Sequence, residues 1–126
     1  MERWTVRRCG ASSSVIRRRQ LSPLDLVEAY LARIEYLNPR LNAFLSVLEY
    51  EARREARYAV EALGRGEVWG PLHGIPIAVK DLIDVAGART TAGSDFLREN
   101  VAAEDADVVK RLKAAGAIII GKAHLH

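Results

Sequence analysis

The sequence predicts an α/β fold, and three features of its second half support this class. Residues 75–80 are a mostly apolar run introduced by glycine and proline, as expected for a buried strand. Residues 104–116 begin with acidic side chains, carry basic ones toward their end and finish at a glycine, which is typical of a helix. Residues 117–121 are apolar throughout, as in a strand covered on both faces. A strand–helix–strand connection crosses over with a right hand, so the two strands are predicted to be parallel.

The first half supplies two more helices and one more strand. Ser22 followed by Pro23 predicts a helix start, with the serine as cap and the proline in the first turn, and Asp25 can close a capping box. Asn38-Pro39 is expected to end this helix, because proline disfavours helical geometry in the residue before it. The apolar stripe of the helix has helical spacing and consists of Leu24, Val27, Leu31 and Ile34.

A short apolar stretch at 42–48 predicts a strand, and residues 49–63 predict a helix that Gly64 stops. Residues 84–100 form a polar, glycine-bearing connection between the predicted strand at 75–80 and the helix that follows. Connections of this length are uncommon inside a compact domain and are often functional.

Length and composition limit the class of protein. A chain of 126 residues forms one domain, and 49% hydrophobic with 28% charged residues is ordinary globular composition. No run of about 18 apolar residues is present, so no membrane association is expected. Cys9 is the single cysteine, which leaves neither an intrachain disulfide nor a cysteine-based metal cluster. This cysteine usage favours a reducing, cytoplasmic location.

The charge is concentrated at the amino terminus. Residues 1–20 contain six arginines and one acidic residue, so the remaining chain, 21–126, is slightly acidic. Without a basic stripe that includes aromatic residues, nucleic-acid binding is not expected. The segment 1–20 has the composition of a mitochondrial transit peptide, but a frayed start leading into a short helix from Ser12 or Ser13 to Gln20 is favoured. The predicted division is a basic segment, 1–20, followed by the domain, 21–126.

Lys80 is the candidate functional residue on the predicted strand 75–80. Strand alternation places Pro76, Ala78 and Lys80 on one side and Asp81 on the other, so the adjacent carboxylate is not expected to pair with the lysine. Apolar surroundings would disfavour the charged ammonium, as a general base requires. The lysine also lies at the carboxyl end of its strand, where open α/β sheets bind ligands. The residues alone equally permit a surface lysine whose head group reaches solvent.

Three motifs resemble one known family. Residues 70–81 read GPLHGIPIAVKD, residues 90–94 read TTAGS, and residues 115–122 read AGAIIIGK. Together they are similar to the amidase signature family, which includes amidases and the A subunit of glutamyl-tRNA(Gln) amidotransferase. The resemblance implies a mixed β-sheet core covered by helices, of which this chain is the amino-terminal part. It also implies that Lys80 is catalytic, and that Thr90, Thr91, Gly93 and Ser94 lie close to the active site. Their residue types favour a structural role, as a capped turn in which the hydroxyls bond local backbone and Ser94 is a turn residue rather than a nucleophile.

The family hydrolyses carboxamide C–N bonds through a Ser–cis-Ser–Lys triad, and this chain holds only the lysine. Both serine motifs are expected beyond His126. The resemblance implies a small-molecule amide substrate and neither cofactor nor metal. Two alternatives stay open. The chain is an inactive or split fragment that needs a complementary carboxyl-terminal chain, or it is part of an amidotransferase subunit that releases ammonia from glutamine among partner subunits.

Two other motifs are set aside. Residues 116–122 fit the pattern G-x-x-x-x-G-K, but a phosphate-binding loop needs serine or threonine where Ala123 stands, and the spacer is β-prone rather than loop-like. His124 and His126 form an H-x-H pair, and His73 lies far upstream. Further ligands for a metal are missing, so no metal site is expected.

Overall fold

A computed structural model describes residues 9–125, with side chains from Ser12 onward, and its elements follow the predicted order. Within this range there are four helices, three strands and a short 3₁₀ turn at Asp95–Leu97. The helices and strands, in chain order, are α1 (Cys9–Arg17), α2 (Pro23–Leu41), β1 (Phe44–Val47), α3 (Glu49–Gly64), β2 (Pro76–Lys80), α4 (Asp107–Ala114) and β3 (Ile118–Ala123). None of the helices in the described part of the chain is long and apolar enough to cross a membrane.

The three strands form one sheet with β3 in its centre. β3 pairs in parallel with β2 and antiparallel with β1, so the sheet is mixed. The predicted α/β class and the predicted parallel pair are both confirmed. The β2–β3 register shifts by one residue after Ile77, and beyond this shift Lys80 lies opposite Ala123. The carboxyl ends of the two parallel strands therefore meet at the same edge of the sheet.

Helices cover both faces of the central strand, as the uniformly apolar sequence of β3 requires. On one face, α2 and α3 pack on the strand through a buried cluster: Val27, Leu31, Ala52, Ala56, Ile118 and Ile120. On the other face, α4 and the connection after β2 pack through a second cluster: Val79, Val85, Ala88, Val109 and Ile119. These two layers hold the β2–β3 pair from opposite sides.

Helix α2 begins as predicted but does not end where predicted. The Ser22 side chain accepts a hydrogen bond from the Leu24 N–H (3.1 Å), and proline occupies the first turn. The helix continues through Pro39 to Leu41 and is capped by Asn42, whose backbone is left-handed and whose N–H donates to the Asn38 carbonyl (2.7 Å). Proline removes one helical donor, and the last turn is held instead by the Asn38 side chain, which bonds the Phe44 N–H and carbonyl at 2.8 and 3.0 Å.

Helix α1 is the short amino-terminal helix that the sequence predicted, but it already includes Cys9 and ends at Arg17, before the predicted Gln20. Its Ile16 is fully buried against Leu21 and Leu26, and the Ser13 hydroxyl donates to the Pro71 carbonyl at 2.7 Å. The first eight residues, with three of the six arginines, lie outside the described range. The domain boundary after residue 20 and the choice between a targeting segment and a helical start therefore stay predictions.

Candidate active site

Lys80 is the last residue of β2, at the carboxyl edge of the parallel pair. Val79 and Asp81 are buried whereas Ala78 and Lys80 are exposed, so the predicted alternation along the strand is confirmed. The Lys80 ammonium makes no hydrogen bond or ion pair with any residue that the structure describes. Its side chain is exposed, because no described element packs on that part of the sheet face, so the expected apolar surroundings stay a prediction.

An open apolar cavity of about 290 Å³ lies on the same side of the sheet, between α2, β1 and β2. Pro76 and Ala78, the two residues that precede Lys80 on its face, form part of its wall, and Lys80 itself lies outside it. Tyr30 and Phe44 line other parts of the wall. The part of this sheet face beside β2, which carries the candidate lysine, is therefore an uncovered apolar surface.

Asp81 points into the opposite side of the sheet, as predicted, and is 1% exposed. Its carboxylate faces Lys122 of β3, with 3.4 Å between Oδ1 and the lysine Nζ. Its Oδ2 accepts hydrogen bonds from the Thr91 N–H (3.2 Å) and from the Thr91 hydroxyl. The backbone of Asp81 is also fixed, because its N–H donates to the Ala123 carbonyl (2.9 Å) and its carbonyl accepts from the Ala92 N–H (3.1 Å).

Lys122 completes this buried polar cluster. Its side chain is fully buried, and Nζ donates to the Arg89 carbonyl (2.9 Å) and to the Thr90 hydroxyl (3.1 Å). Sequence reasoning missed the ion pair with Asp81. Two signals could have revealed it: a lysine on a strand with both faces covered, and a carboxylate directed inward at the end of the neighbouring strand.

Residues 90–94 are a structural support, but not in the form that was predicted. The Ser94 side chain accepts a hydrogen bond from the Phe96 N–H (3.2 Å) and caps the 3₁₀ turn, so its prediction as a turn residue is confirmed. Gly93 has a φ of +72°. The threonine hydroxyls were expected to bond local backbone. They bond instead to the side chains of Asp81 and Lys122, because the connection folds back over the carboxyl ends of β2 and β3.

Among the histidines that the structure describes, His73 has structural contacts. His73 is 1% exposed; its Nδ1 accepts from the Trp69 N–H (3.0 Å) and its Nε2 lies 2.9 Å from the Ala59 carbonyl, to which it donates. His124 is exposed, and His126 lies outside the described residues, so the H-x-H hypothesis is untested. Within residues 9–125 no group of three or more His, Cys, Asp or Glu side chains is placed to hold a metal ion.

The sequence matches one family model, described as Amidase, over residues 25–126. This chain belongs to the amidase family. It is 46% identical over 110 residues to the A subunit of the glutamyl-tRNA(Gln) amidotransferase of Methylococcus capsulatus, and the match covers 87% of this chain and 22% of that protein. It is 42% identical over 111 residues to an amidase of Pseudomonas putida, covering 88% of this chain and 23% of that one.

Solved structures agree with these relationships. The peptide amidase of Stenotrophomonas maltophilia superposes with a TM-score of 0.92 at 34% identity, over 99% of this chain and 26% of that enzyme. The chain thus spans about a quarter of the length of the proteins it matches. The relatives include a protein named as an amidase as well as proteins named as the A subunit of glutamyl-tRNA(Gln) amidotransferase.

Proposed function

We propose that this chain supplies the catalytic lysine, Lys80, of an enzyme that hydrolyses carboxamide C–N bonds. The observation that carries the proposal is the position of Lys80. It stands at the carboxyl end of a parallel strand, inside the GIPIAVKD motif of an amidase-family chain, with its ammonium free of any partner in the described residues. The exposed sheet face around it is where the remainder of an amidase domain would bring the serines.

In this proposal Lys80, in its neutral form, removes a proton from a serine held in a cis peptide. That serine takes the proton of a second serine, whose oxygen attacks the amide carbonyl and forms the C–O bond of an acyl-enzyme as the C–N bond breaks. The nitrogen leaves as ammonia or an amine after receiving the proton, and water then hydrolyses the ester. This is the general nucleophile–base–orienter arrangement. Both serines come from sequence outside residues 1–126.

A fusion enzyme tests the proposal. In it, this chain replaces the matching segment of the Pseudomonas putida amidase, so that the serine motifs are supplied by the relative. We expect the fusion enzyme to hydrolyse members of a panel of simple aryl and aliphatic amides and to react with a fluorophosphonate, which labels activated serines without requiring the natural substrate.

The decisive variant is Lys80→Ala. The matched control is Lys110→Ala, which also removes an exposed lysine, but one on α4, away from the strand end that carries Lys80. Lys80→Ala should abolish both turnover and labelling, whereas the control should retain both. A fusion enzyme that unfolds cooperatively but is neither active nor labelled would contradict the proposal. So would a Lys80→Ala variant that is as active as its parent.

A role in an amidotransferase is the second candidate, since several relatives are named as the A subunit of glutamyl-tRNA(Gln) amidotransferase. The substrate would then be glutamine, and the released ammonia would be used within a complex. Glutaminase activity that appears only when partner subunits are added would support this candidate. Activity on simple amides without partners would favour the free-standing amidase. A split enzyme would instead require a separate complementary chain to be added.

We also propose a cytoplasmic location, which the lone cysteine suggests; cell fractionation tests it.

A further inference from the structure

The buried cluster behind Lys80 goes beyond the proposed triad. We propose that Asp81, held by Thr91 and Lys122, is a positioning residue that fixes the strand end carrying Lys80. The proposal rests on the proposed function, because it assigns Asp81 a role in aligning the same lysine. Asp81 touches neither substrate nor serine in this account; it acts through the backbone that it shares with Lys80.

The first support is the set of contacts that converge on Asp81. Its backbone N–H is bound to β3 at Ala123 and its carbonyl to the connection at Ala92, at 2.9 and 3.1 Å. Its carboxylate accepts from the N–H and hydroxyl of Thr91. Both the backbone and the side chain of the residue after Lys80 are thus attached to two separate segments. A strand end would otherwise be expected to fray.

The second support is the energetics of the pair that Asp81 forms with Lys122. Both side chains are 1% exposed or less, and Asp81 Oδ1 has no hydrogen bond in proper geometry although Lys122 Nζ lies 3.4 Å away. A buried ion pair is weak evidence for stability, because apolar residues of similar volume stabilise as well or better. Charged groups with directional bonds instead hold the chain in one defined geometry. Proteins typically retain imperfectly satisfied polar groups of this kind at functional sites.

The third support is the place of the cluster in the sheet. It joins β2, β3 and the connection at residues 89–92 at the carboxyl edge, where Lys80 emerges on the opposite face. Any shift of the Asp81 backbone moves the Cα of Lys80 with it. Because a misplacement of about 1 Å can cost about 100-fold in rate, even a small loosening of this edge is measurable in kcat.

The test compares Asp81→Asn with Asp105→Asn in the fusion enzyme. Asp105 is a matched control, since its carboxylate also accepts a backbone N–H, from Ala86 at 2.7 Å, and also pairs with a lysine, Lys113 at 2.9 Å. It lies just before α4 and holds no part of the end of β2. Both variants are assayed well below their thermal midpoints, so that a fall in stability alone does not change the rate.

We expect Asp81→Asn to lower kcat by about 10- to 100-fold with KM within about twofold, and to slow fluorophosphonate labelling by the same factor. Asp105→Asn should leave kcat within about twofold of the parent even though it also loses an ion pair. Should Asp81→Asn fail to fold, Thr91→Val removes a single donor from the carboxylate and should lower kcat by about 3- to 10-fold.

The outcomes separate the two proposals. In one outcome Lys80→Ala is inactive, but the Asp81 and Thr91 variants keep the kcat of the Asp105 variant or change KM alone. Asp81 is then an ordinary packing residue, so the inference is wrong while the proposed function stands. If Lys80→Ala retains activity, the proposed function fails and the inference falls with it. A loss of kcat confined to the Asp81 and Thr91 variants supports both.

Discussion

Two adjacent residues, Lys80 and Asp81, show how one strand serves two purposes. Alternation turns the lysine toward the open sheet face and the carboxylate into the buried layer, where it meets Lys122. The lysine is left without a partner in the described structure because its neighbour pairs elsewhere. A catalytic base needs an amine without a fixed partner, whereas the residue that anchors its strand needs several fixed partners.

His73 provides a prediction at the residue scale. His73→Phe removes both ring nitrogens, so the Trp69 N–H and the Ala59 carbonyl each lose one hydrogen bond, which should lower the free energy of unfolding by about 1–3 kcal/mol. His124→Phe alters an exposed histidine and should change the free energy of unfolding by less than about 0.5 kcal/mol. Urea denaturation of the fusion enzyme measures both. Equal stabilities for the two variants would show that the His73 bonds do not hold the 69–73 loop on α3.

The sequence predicted much of the site at this scale. The position of Lys80 at a strand end and its orientation relative to Asp81 follow from a period of two, which is a local property. The Asp81–Lys122 pair could not be predicted in the same way. It depends on the register between strands about forty residues apart, and that register shifts by one residue after Ile77. The end of α2 could not be predicted either. The Asn38 side chain holds the last turn through its bonds to Phe44, and the preference of a residue before proline for non-helical geometry does not include such a contact.

Among the elements, α4 is attached to the rest of the fold through Asp105. Partial burial alone would raise the pKa of Asp105, but the hydrogen bond from the Ala86 N–H and the charge of Lys113 outweigh it, so the pKa lies below its ordinary value. A carboxyl group with a lowered pKa in the folded state stabilises the protein above its unfolded pKa, and this contribution is lost as the pH falls through the folded pKa.

Asp105→Asn should therefore destabilise the fusion enzyme by about 1 kcal/mol at pH 7, with the difference from the parent shrinking below about pH 4. Urea denaturation at a series of pH values measures this. A difference that stays constant down to about pH 3 would mean that the charge of Asp105 does not contribute.

The junction between α4 and β3 gives a second prediction for the elements. Gly116 has a φ of +99°, and a Cβ at this position would lie 2.7 Å from the Cα of His73. Gly116→Ala should therefore lower the thermal midpoint by several degrees. Gly64→Ala is the matched control: it lies at the end of α3 with no atom within 4 Å of an added Cβ, and should stabilise by up to about 1 kcal/mol. Similar effects from both would contradict the close packing at Gly116.

At the scale of the whole molecule, the described sheet has two unpaired edges, β1 and β2, and an open apolar cavity beside β2. The family fold was recognisable from three motifs, and the small mixed sheet agrees with it. The chain spans about a quarter of the length of the relatives it matches, and in the enzyme that we propose the open part of this sheet face meets the remaining sequence.

The 126-residue chain on its own should therefore be marginally stable and should self-associate, because unpaired strand edges and uncovered apolar surface favour pairing between chains. It should also hydrolyse no amide, since it lacks both triad serines. Analytical ultracentrifugation and a thermal scan check the first expectation, and the amide panel checks the second. A monomer with a sharp, cooperative transition would contradict the first.

The central claim is that Lys80 is the general base, and the most direct measurement is the pH–rate profile of the fusion enzyme with Lys80 and with Lys80→Arg. A base must lose its proton to act, so the rate of the parent should fall toward acidic pH. Arginine keeps the positive charge but stays protonated at any working pH, so Lys80→Arg should be inactive across the whole range. A Lys80→Arg variant with turnover close to that of the parent would reduce Lys80 to a positioning charge and contradict the account.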